Sequence, residues 1–246
     1  EMAKVLENSF RATNIAFIKE WAVFAESAGV DLYKVINAIR ERPTHKNIML
    51  PGLGVGGYCL TKDPLLASWS KENIFKSAGK LEMSVRAVEI NDQMPLHAAE
   101  ILNSIYQDKS NKSVLFLGVS YLKNVGDTRS TPIALLYKEI SNWPAVKISL
   151  HDTFIDRWNE ENINVSTDLA SELAEQHDIL ILSTSHSEYS NNSTLKNNIV
   201  KGEYETILDC WGMLSEDMIT AAKEAGTNVK IKKNVDKPCS SIIGSI

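Results

Sequence analysis

The densest chemistry in this 246-residue chain lies between Pro51 and Pro64. Cys59 is preceded by Gly52, Gly54, Gly56 and Gly57 and followed by Lys62 and Asp63. A cysteine works as a nucleophile when positive charge or amide donors favour its thiolate. Lys62 and the backbone amides of a glycine-rich loop can supply both. Asp63 can serve as a general base or hold a water. Glycine also lets the backbone come close to a ligand. A flexible linker is a weaker reading, because linkers are polar and serine-rich and this loop is apolar between its glycines. A buried structural thiol is the common fate of a free cysteine, but a core position does not need four neighbouring glycines.

Two further groups stand out. Lys4, Asn8 and Arg11 recur at i, i+4 and i+7, and so share one sector of a helix. Two cations and an amide there can stabilise an oxyanion, or they form an ordinary solvated face. Residues 115–132 give an apolar run, Gly118, then a segment with Tyr121, Lys123 and Arg129 leading to Thr131-Pro132. A strand, a glycine turn and a helix start is where α/β sheets receive phosphorylated ligands; a plain strand-to-helix loop reads the same way. His45, His97, His151, His177 and His186 show no ligand spacing and read as surface or loop residues, so no metal is expected. The tryptophans read as core or interface anchors. A cysteine-dependent hydrolase would need a histidine base, and His45 is the one near Cys59 in sequence.

The elements that must position these residues follow from periodicity. Residues 1–28 have a helical pattern stopped at Gly29, and Asp31 is placed to cap a helix over 32–40 that ends before Pro43. Residues 43–64 break the pattern. From 64 to 107 a long helical stripe is expected, with Pro95 kinking it or starting a new helix. After Asp108 the texture changes. Strands are expected at 113–117, 146–151, 178–183, 206–208 and 229–231, with helices at 131–141, 169–176 and 216–225. Repeated β-α-β units predict a parallel sheet covered by helices. The fold class is therefore α/β, with an all-helical region at 1–108 and a doubly wound sheet domain at 109–246.

Bulk composition narrows the partners. The net charge of -5 argues against general nucleic-acid binding. No apolar run approaches the ~20 residues that cross a bilayer. Cys59, Cys210 and Cys239 are too widely spaced for a zinc site or a disulfide framework. An odd count without a secretory signal fits the cytoplasm. The chain opens at Glu1 inside a helical pattern, which leads to the expectation of a further domain upstream.

Taken in this order, the segments resemble the UDP-glucose and UDP-N-acetylhexosamine 6-dehydrogenase family. Gly54-Val55-Gly56-Gly57-Tyr58-Cys59-Leu60-Thr61-Lys62-Asp63 resembles that family's nucleophile loop, Ala3-Lys4 with Asn8 its catalytic helix, and Gly126-Asp127-Thr128-Arg129 its Asp-x-Arg segment. The resemblance implies a central helical domain that forms a homodimer and a Rossmann-like domain that binds the UDP moiety. The NAD-binding domain would lie upstream. It further implies oxidation of a sugar C6 alcohol to a carboxylate with two NAD. Cys59 would hold the aldehyde and then a thioester. Asp63, with Lys4, would activate the hydrolytic water, and Lys4 and Asn8 would stabilise the oxyanions. Lys62 and Arg129 would contact NAD. Arg11, Leu50, Gly54, Gly56, Gly57, Tyr121 and Lys123 would contact the UDP-sugar. Asn-Ser-Phe-Arg at 8–11 and Asp63-Pro64 resemble members acting on N-acetylated sugars, whereas Lys62 resembles the glucose enzymes. Two segments depart from the pattern: Tyr121-Leu122 stands where the family often has Phe-Lys, and Asp209-Cys210-Trp211 replaces a late Asp-x-Arg.

Overall fold

Two hydrogen bonds from Gly29, at a φ of 70°, to the carbonyls of Ala25 and Glu26 close the first helix, α1 (Met2–Ala28). The Asp31 side chain then accepts the N–H groups of Tyr33 and Lys34 and starts α2 (Leu32–Arg40). Such a cap contributes about 1 kcal/mol. Both boundaries follow the sequence. These features come from a computed structural model that describes residues 1–231; Cys239 lies outside them. The chain divides into two compact units: Glu1–Gly52 with Lys62–Asn91, and Leu53–Thr61 with Asp92–Ile231.

The described residues of the first unit form only helices and their connections. Its core is built on small residues of α1: Ala22 and Ala25, with Ile18, pack on Leu32 and Ile36 of α2. Five large apolar residues of α1 face outward instead. Leu6, Phe10, Phe17, Trp21 and Phe24 are all exposed. At ~100° per residue they share a sector of roughly 60°.

The long helix expected over 64–107 is two helices, α3 (Cys59–Asn73) and α4 (Glu82–Ile105). The break at 74–81 is tied down locally: the Lys71 ammonium donates to the carbonyls of Ala78 and Gly79, and Ser68 Oγ accepts the Leu81 N–H. Helical structure also begins five residues earlier than expected. Cys59, Lys62 and Asp63 are therefore on the first turns of α3, not in the preceding loop. Pro64 lacks an N–H, so close to the helix start it removes one bond without ending the helix. Pro95 sits inside α4 and neither ends nor restarts it.

The second unit carries a five-stranded sheet in the order β2-β1-β5-β6-β7, all parallel. Its strands are β1 (Ser113–Leu117), β2 (Lys147–His151), β5 (Ile179–Leu182), β6 (Thr206–Asp209) and β7 (Asn228–Ile231). The apolar runs are buried on both faces, as parallel strands under helices must be. Alternation decides the face. Val114, Phe116, Ile179, Ile181 and Leu208 meet α5 (Ile133–Ser141) and the end of α4, through Leu136, Ile140, Ala98 and Leu102. Leu115, Leu117, Leu180, Leu182, Ile207 and Val229 face α6 (Leu169–Ala174), α8 (Ser193–Lys201) and α9 (Glu216–Glu224). This is the doubly wound α/β fold. Sequence reading did not separate out the short pair β3 (Arg157–Trp158) and β4 (Ile163–Asn164), α7 (Ser187–Asn191) or α8. Their pieces are too short or too polar to show a period. Trp158 and Trp143 are buried, whereas Trp21 and Trp69 are exposed.

Candidate active site

The glycine-rich loop belongs to the sheet unit. Leu53 anchors it by full burial in the core of that unit. Its other end is fixed where the Gly57 N–H donates to the Arg129 carbonyl at 2.8 Å. A Cβ on Gly56 would stand 2.3 Å from Tyr121 Cβ. Gly57 has a φ of +74°, and a Cβ there would lie 2.9 Å from the Tyr121 hydroxyl. Close approach of the protein's own tyrosine is thus sufficient reason for both glycines. Gly54 packs on Pro132 in the same way. Tyr121, which stands at a position of departure from the family pattern, is the lid on this loop. Cys59 is exposed at the first position of α3. The positive end of the helix dipole favours negative charge developing there.

Arg129 is held beside the same loop. Its guanidinium pairs with Asp127, with Nε to Oδ1 at 2.9 Å and Nη2 to Oδ2 at 2.6 Å, and lies 5.0 Å from the centre of the Tyr58 ring. The guanidinium holds the Asp127 carboxyl below the usual carboxylate range. Tyr58 and Asp127 were not singled out from sequence, although both lie inside the motifs that were. Lys123 is exposed, as is Leu122.

In the helical unit, Asp63 is buried and accepts two bonds: from Lys62 Nζ at 2.6 Å and from Asn8 Nδ2 at 2.7 Å. Asn8 must present its NH2 here, because a carboxylate only accepts. The Lys62 ammonium, helped by Asn8 and the charge on Lys4, lowers the Asp63 carboxyl from its usual value. Lys4 is exposed and bonded to Glu7 at 3.2 Å. Arg11 and Leu50 are exposed in this unit. The structure therefore brings Asn8, Lys62 and Asp63 into one cluster, with Lys4 close enough to influence it electrostatically. Among the described residues no three metal-type ligands are grouped.

The crest of the sheet does not offer an open phosphate site. The amides of Val119 and Ser120, which follow β1, donate to Asp152 Oδ2 at 2.8 Å each, and the Phe154 N–H donates to its Oδ1 at 2.9 Å. Burial pushes the Asp152 carboxyl up, but these bonds and one from His186 outweigh it and bring the value down to about 2. A carboxylate of the protein thus fills the position a dinucleotide phosphate takes in an open doubly wound sheet. Asp209, further along, accepts the N–H groups of Trp211 and Leu214 within its own turn, with burial pushing its carboxyl up, while Trp211 Nε1 donates to the Ser183 carbonyl at 2.7 Å. The sheet therefore does not fit NAD as a dinucleotide fold would. Lys62 and Arg129 are both largely exposed cations, each paired with a carboxylate of its own unit.

His151 corrects the sequence reading, because it is buried at the end of β2. His177 and His186 lie in loops, as expected, but are buried there. Burial lowers the His151 value. His186 bonds Asp152 inside the sheet unit. The signal available was a strand ending in His151-Asp152; without the partner residues it did not stand out.

Comparison with known proteins agrees with the motifs. Residues 1–93 match the central domain of the UDP-glucose/GDP-mannose dehydrogenase family and residues 115–216 match the UDP binding domain of that family. UDP-N-acetyl-D-mannosamine dehydrogenase of Methanocaldococcus jannaschii is 30% identical over 220 residues, 89% of this chain and 48% of that protein. The enzyme of the same name from Pyrococcus horikoshii is 33% identical over 194 residues, 77% of this chain and 42% of that protein. The solved structure of UDP-D-ManNAc dehydrogenase from Pyrococcus horikoshii superposes with a TM-score of 0.75 at 26% identity, over 96% of this chain and 52% of that one. The crystal structure of NDP-N-acetyl-D-galactosaminuronic acid dehydrogenase from Methanosarcina mazei Go1, at 23% identity, shares the fold with a TM-score of 0.81, over 95% of this chain and 50% of that one. The chain spans about half the length of the curated relatives it matches. Its two matched domains lie in the order the motifs require, and the chain belongs to the UDP-glucose/GDP-mannose dehydrogenase family.

Proposed function

We propose that this chain supplies the catalytic helix, the nucleophile and the nucleotide-sugar-binding domain of an NAD-dependent UDP-sugar 6-dehydrogenase. The observation that carries the reading is the Asn8-Asp63-Lys62 cluster, with Asp63 one turn along α3 from an exposed Cys59. A binding module needs neither a nucleophile nor a buried carboxylate held by an amide and an ammonium. The domains of this reading are 1–108 and 109–246, with most of the NAD site contributed by residues outside this chain. NAD, when bound, accepts the hydrides removed from C6.

This chain's own residues do the rest. Cys59 Sγ adds to the C6 aldehyde and holds it through the second oxidation as a thioester. Asn8 and Lys4 donate to the oxyanion of each tetrahedral species. Asp63 orients and deprotonates the water that hydrolyses the thioester, with Lys4 beside it. Leu50, Gly54, Gly56, Gly57, Tyr121 and Lys123 line the UDP-sugar, and Lys62 and Arg129 reach the cofactor. Arg11 selects a 2-acetamido sugar, so the favoured substrates are UDP-N-acetylmannosamine and UDP-N-acetylglucosamine; the relatives' printed names support the first. The outward stripe Leu6, Phe10, Phe17, Trp21 and Phe24 supports a homodimer through the central helices. A cytoplasmic setting keeps the Cys59 thiol reduced.

The test is NADH formation by the full-length protein with each UDP-sugar. Cys59→Ala should abolish conversion to the acid, by a factor of about 1,000 or more. Full oxidation in that variant would sink the mechanism. The 246-residue chain alone should bind UDP and form no NADH.

A further inference from the structure

The segment between β1 and α5 carries Tyr121, Lys123 and Arg129, and one point of it is gripped unusually firmly. Asn124 has a φ of 57°, in the left-handed region. Its side chain makes a reciprocal pair with Ser187: Nδ2 donates to Ser187 Oγ at 2.8 Å and Oδ1 accepts the Ser187 N–H at 2.8 Å. Its backbone N–H points at His186 Nδ1, 2.9 Å away. His186 is 0% exposed, and its Nε2 lies 3.2 Å from Asp152 Oδ2.

The chemistry of these atoms fixes the ring. A backbone N–H can only donate, so Nδ1 must offer its lone pair. The carboxylate can only accept, so Nε2 carries the proton. The imidazole in this arrangement is neutral. The same Asp152 oxygen also takes the amides of Val119 and Ser120. One carboxylate-imidazole pair thus holds the chain at 119–120 and again at 124, on either side of Tyr121, which covers Gly56 and Gly57.

We propose that His186, through Asn124, is a positioning residue that holds the 121–129 loop in the conformation able to receive a nucleoside diphosphate. The proposal rests on the reading of this unit as the UDP-sugar domain. Removing the Nδ1 lone pair leaves the Asn124 N–H without its acceptor and releases the loop. The groups around the ring are Asp152 on its Nε2 side, the Phe154 ring at 5.0 Å and the Tyr189 ring at 5.5 Å. Glu188 bonds to Thr153, His151 bonds to Tyr189, and Lys123 precedes Asn124 in the chain.

The experiment is calorimetric titration of this chain with UDP. Amide exchange of 121–129 is followed in parallel. Three variants separate the contributions. His186→Phe keeps a ring and removes the acceptor. His186→Asn keeps a side-chain acceptor. Asn124→Gly keeps the positive φ and the backbone N–H and removes the Ser187 pair.

His186→Phe should bind UDP about tenfold more weakly and Asn124→Gly about threefold more weakly, each with faster exchange confined to the loop. His186→Asn, which keeps an acceptor, should retain most of the affinity and the slow exchange of the loop. If His186→Phe does not fold, the other two variants carry the test. Unchanged affinity and exchange in the folded variants, with UDP still bound by the unsubstituted chain, overturns the positioning role alone. No UDP binding by the unsubstituted chain overturns the reading of the domain, and the proposal with it.

Discussion

Asp63 in the helical unit and Asp152 in the sheet unit are both carboxylates held below their ordinary value, but by different partners. Asp152 is buried completely, and three backbone amides and an imidazole, all fixed by the fold, point at it. Asp63 is held by two side chains, one of them the largely exposed Lys62. Fixed dipoles make a carboxylate structural, because no alternative partner can reach it without unfolding the crest of the sheet. A flexible ammonium can swing away and let a substrate or water take its place. Asp152 holds the shape of the sheet crest, whereas Asp63 keeps the freedom that the reactive role proposed for it requires.

The largest expected effect tests the structural half. Asp152→Ala strands two buried amides, a partly buried one and an imidazole, and should cost about 3–5 kcal/mol in urea unfolding. A loss below about 1 kcal/mol would break the comparison. Acid should show the same carboxylate at work. Its value is depressed from 3.8 to about 2, so its stabilisation is present above the unfolded value and is lost as pH falls through the folded one. Roughly 2 kcal/mol should disappear between about pH 4 and pH 2. The difference in unfolding free energy between Asp152→Asn and the unsubstituted chain should shrink over that window.

Gly56→Ala comes next. The added Cβ meets Tyr121 Cβ at 2.3 Å, so about 1–3 kcal/mol should be lost. Part of that loss should vanish when Tyr121→Gly is combined with it. Simple additivity would show that the loop is shaped by something other than Tyr121.

The smallest stability effects belong to the reactive half. Asp63→Asn should change stability by no more than about 1 kcal/mol, because its ion-pair partner is solvent-exposed. Lys4→Ala should change it by less than about 0.5 kcal/mol. Both should slow acid formation by the full-length protein by about a hundredfold or more. A large stability loss in Asp63→Asn, with the rate preserved, would place Asp63 with Asp152 among the structural groups.

Much of this was legible in the sequence, for identifiable reasons. Asp31 and Gly29 act within a few residues, so their capping shows in the chain itself. The strands Leu115–Leu117 and Ile179–Leu182 are apolar without interruption, which only burial on both faces allows. The break at 74–81 was hidden because it depends on Lys71 and Ser68 reaching forward to carbonyls and an amide seven to thirteen residues later in the chain. The start of α3 at Cys59 was hidden because Pro64 looked like a boundary and proved to be tolerated inside the helix.

The sequence by itself determined the chemistry available: a cysteine, a carboxylate and an ammonium within five residues, and an α/β pattern behind them. These are local properties, written in residue type and spacing. Only the tertiary structure decided which charges are spoken for. The pairing of Asp63 with Asn8 spans 55 residues, and that of Asp152 with the amides of Val119 and Ser120 spans 33 and 32. Hydrogen bonds act over about 3 Å, and no sequence spacing encodes which distant atoms the packed core will bring that close.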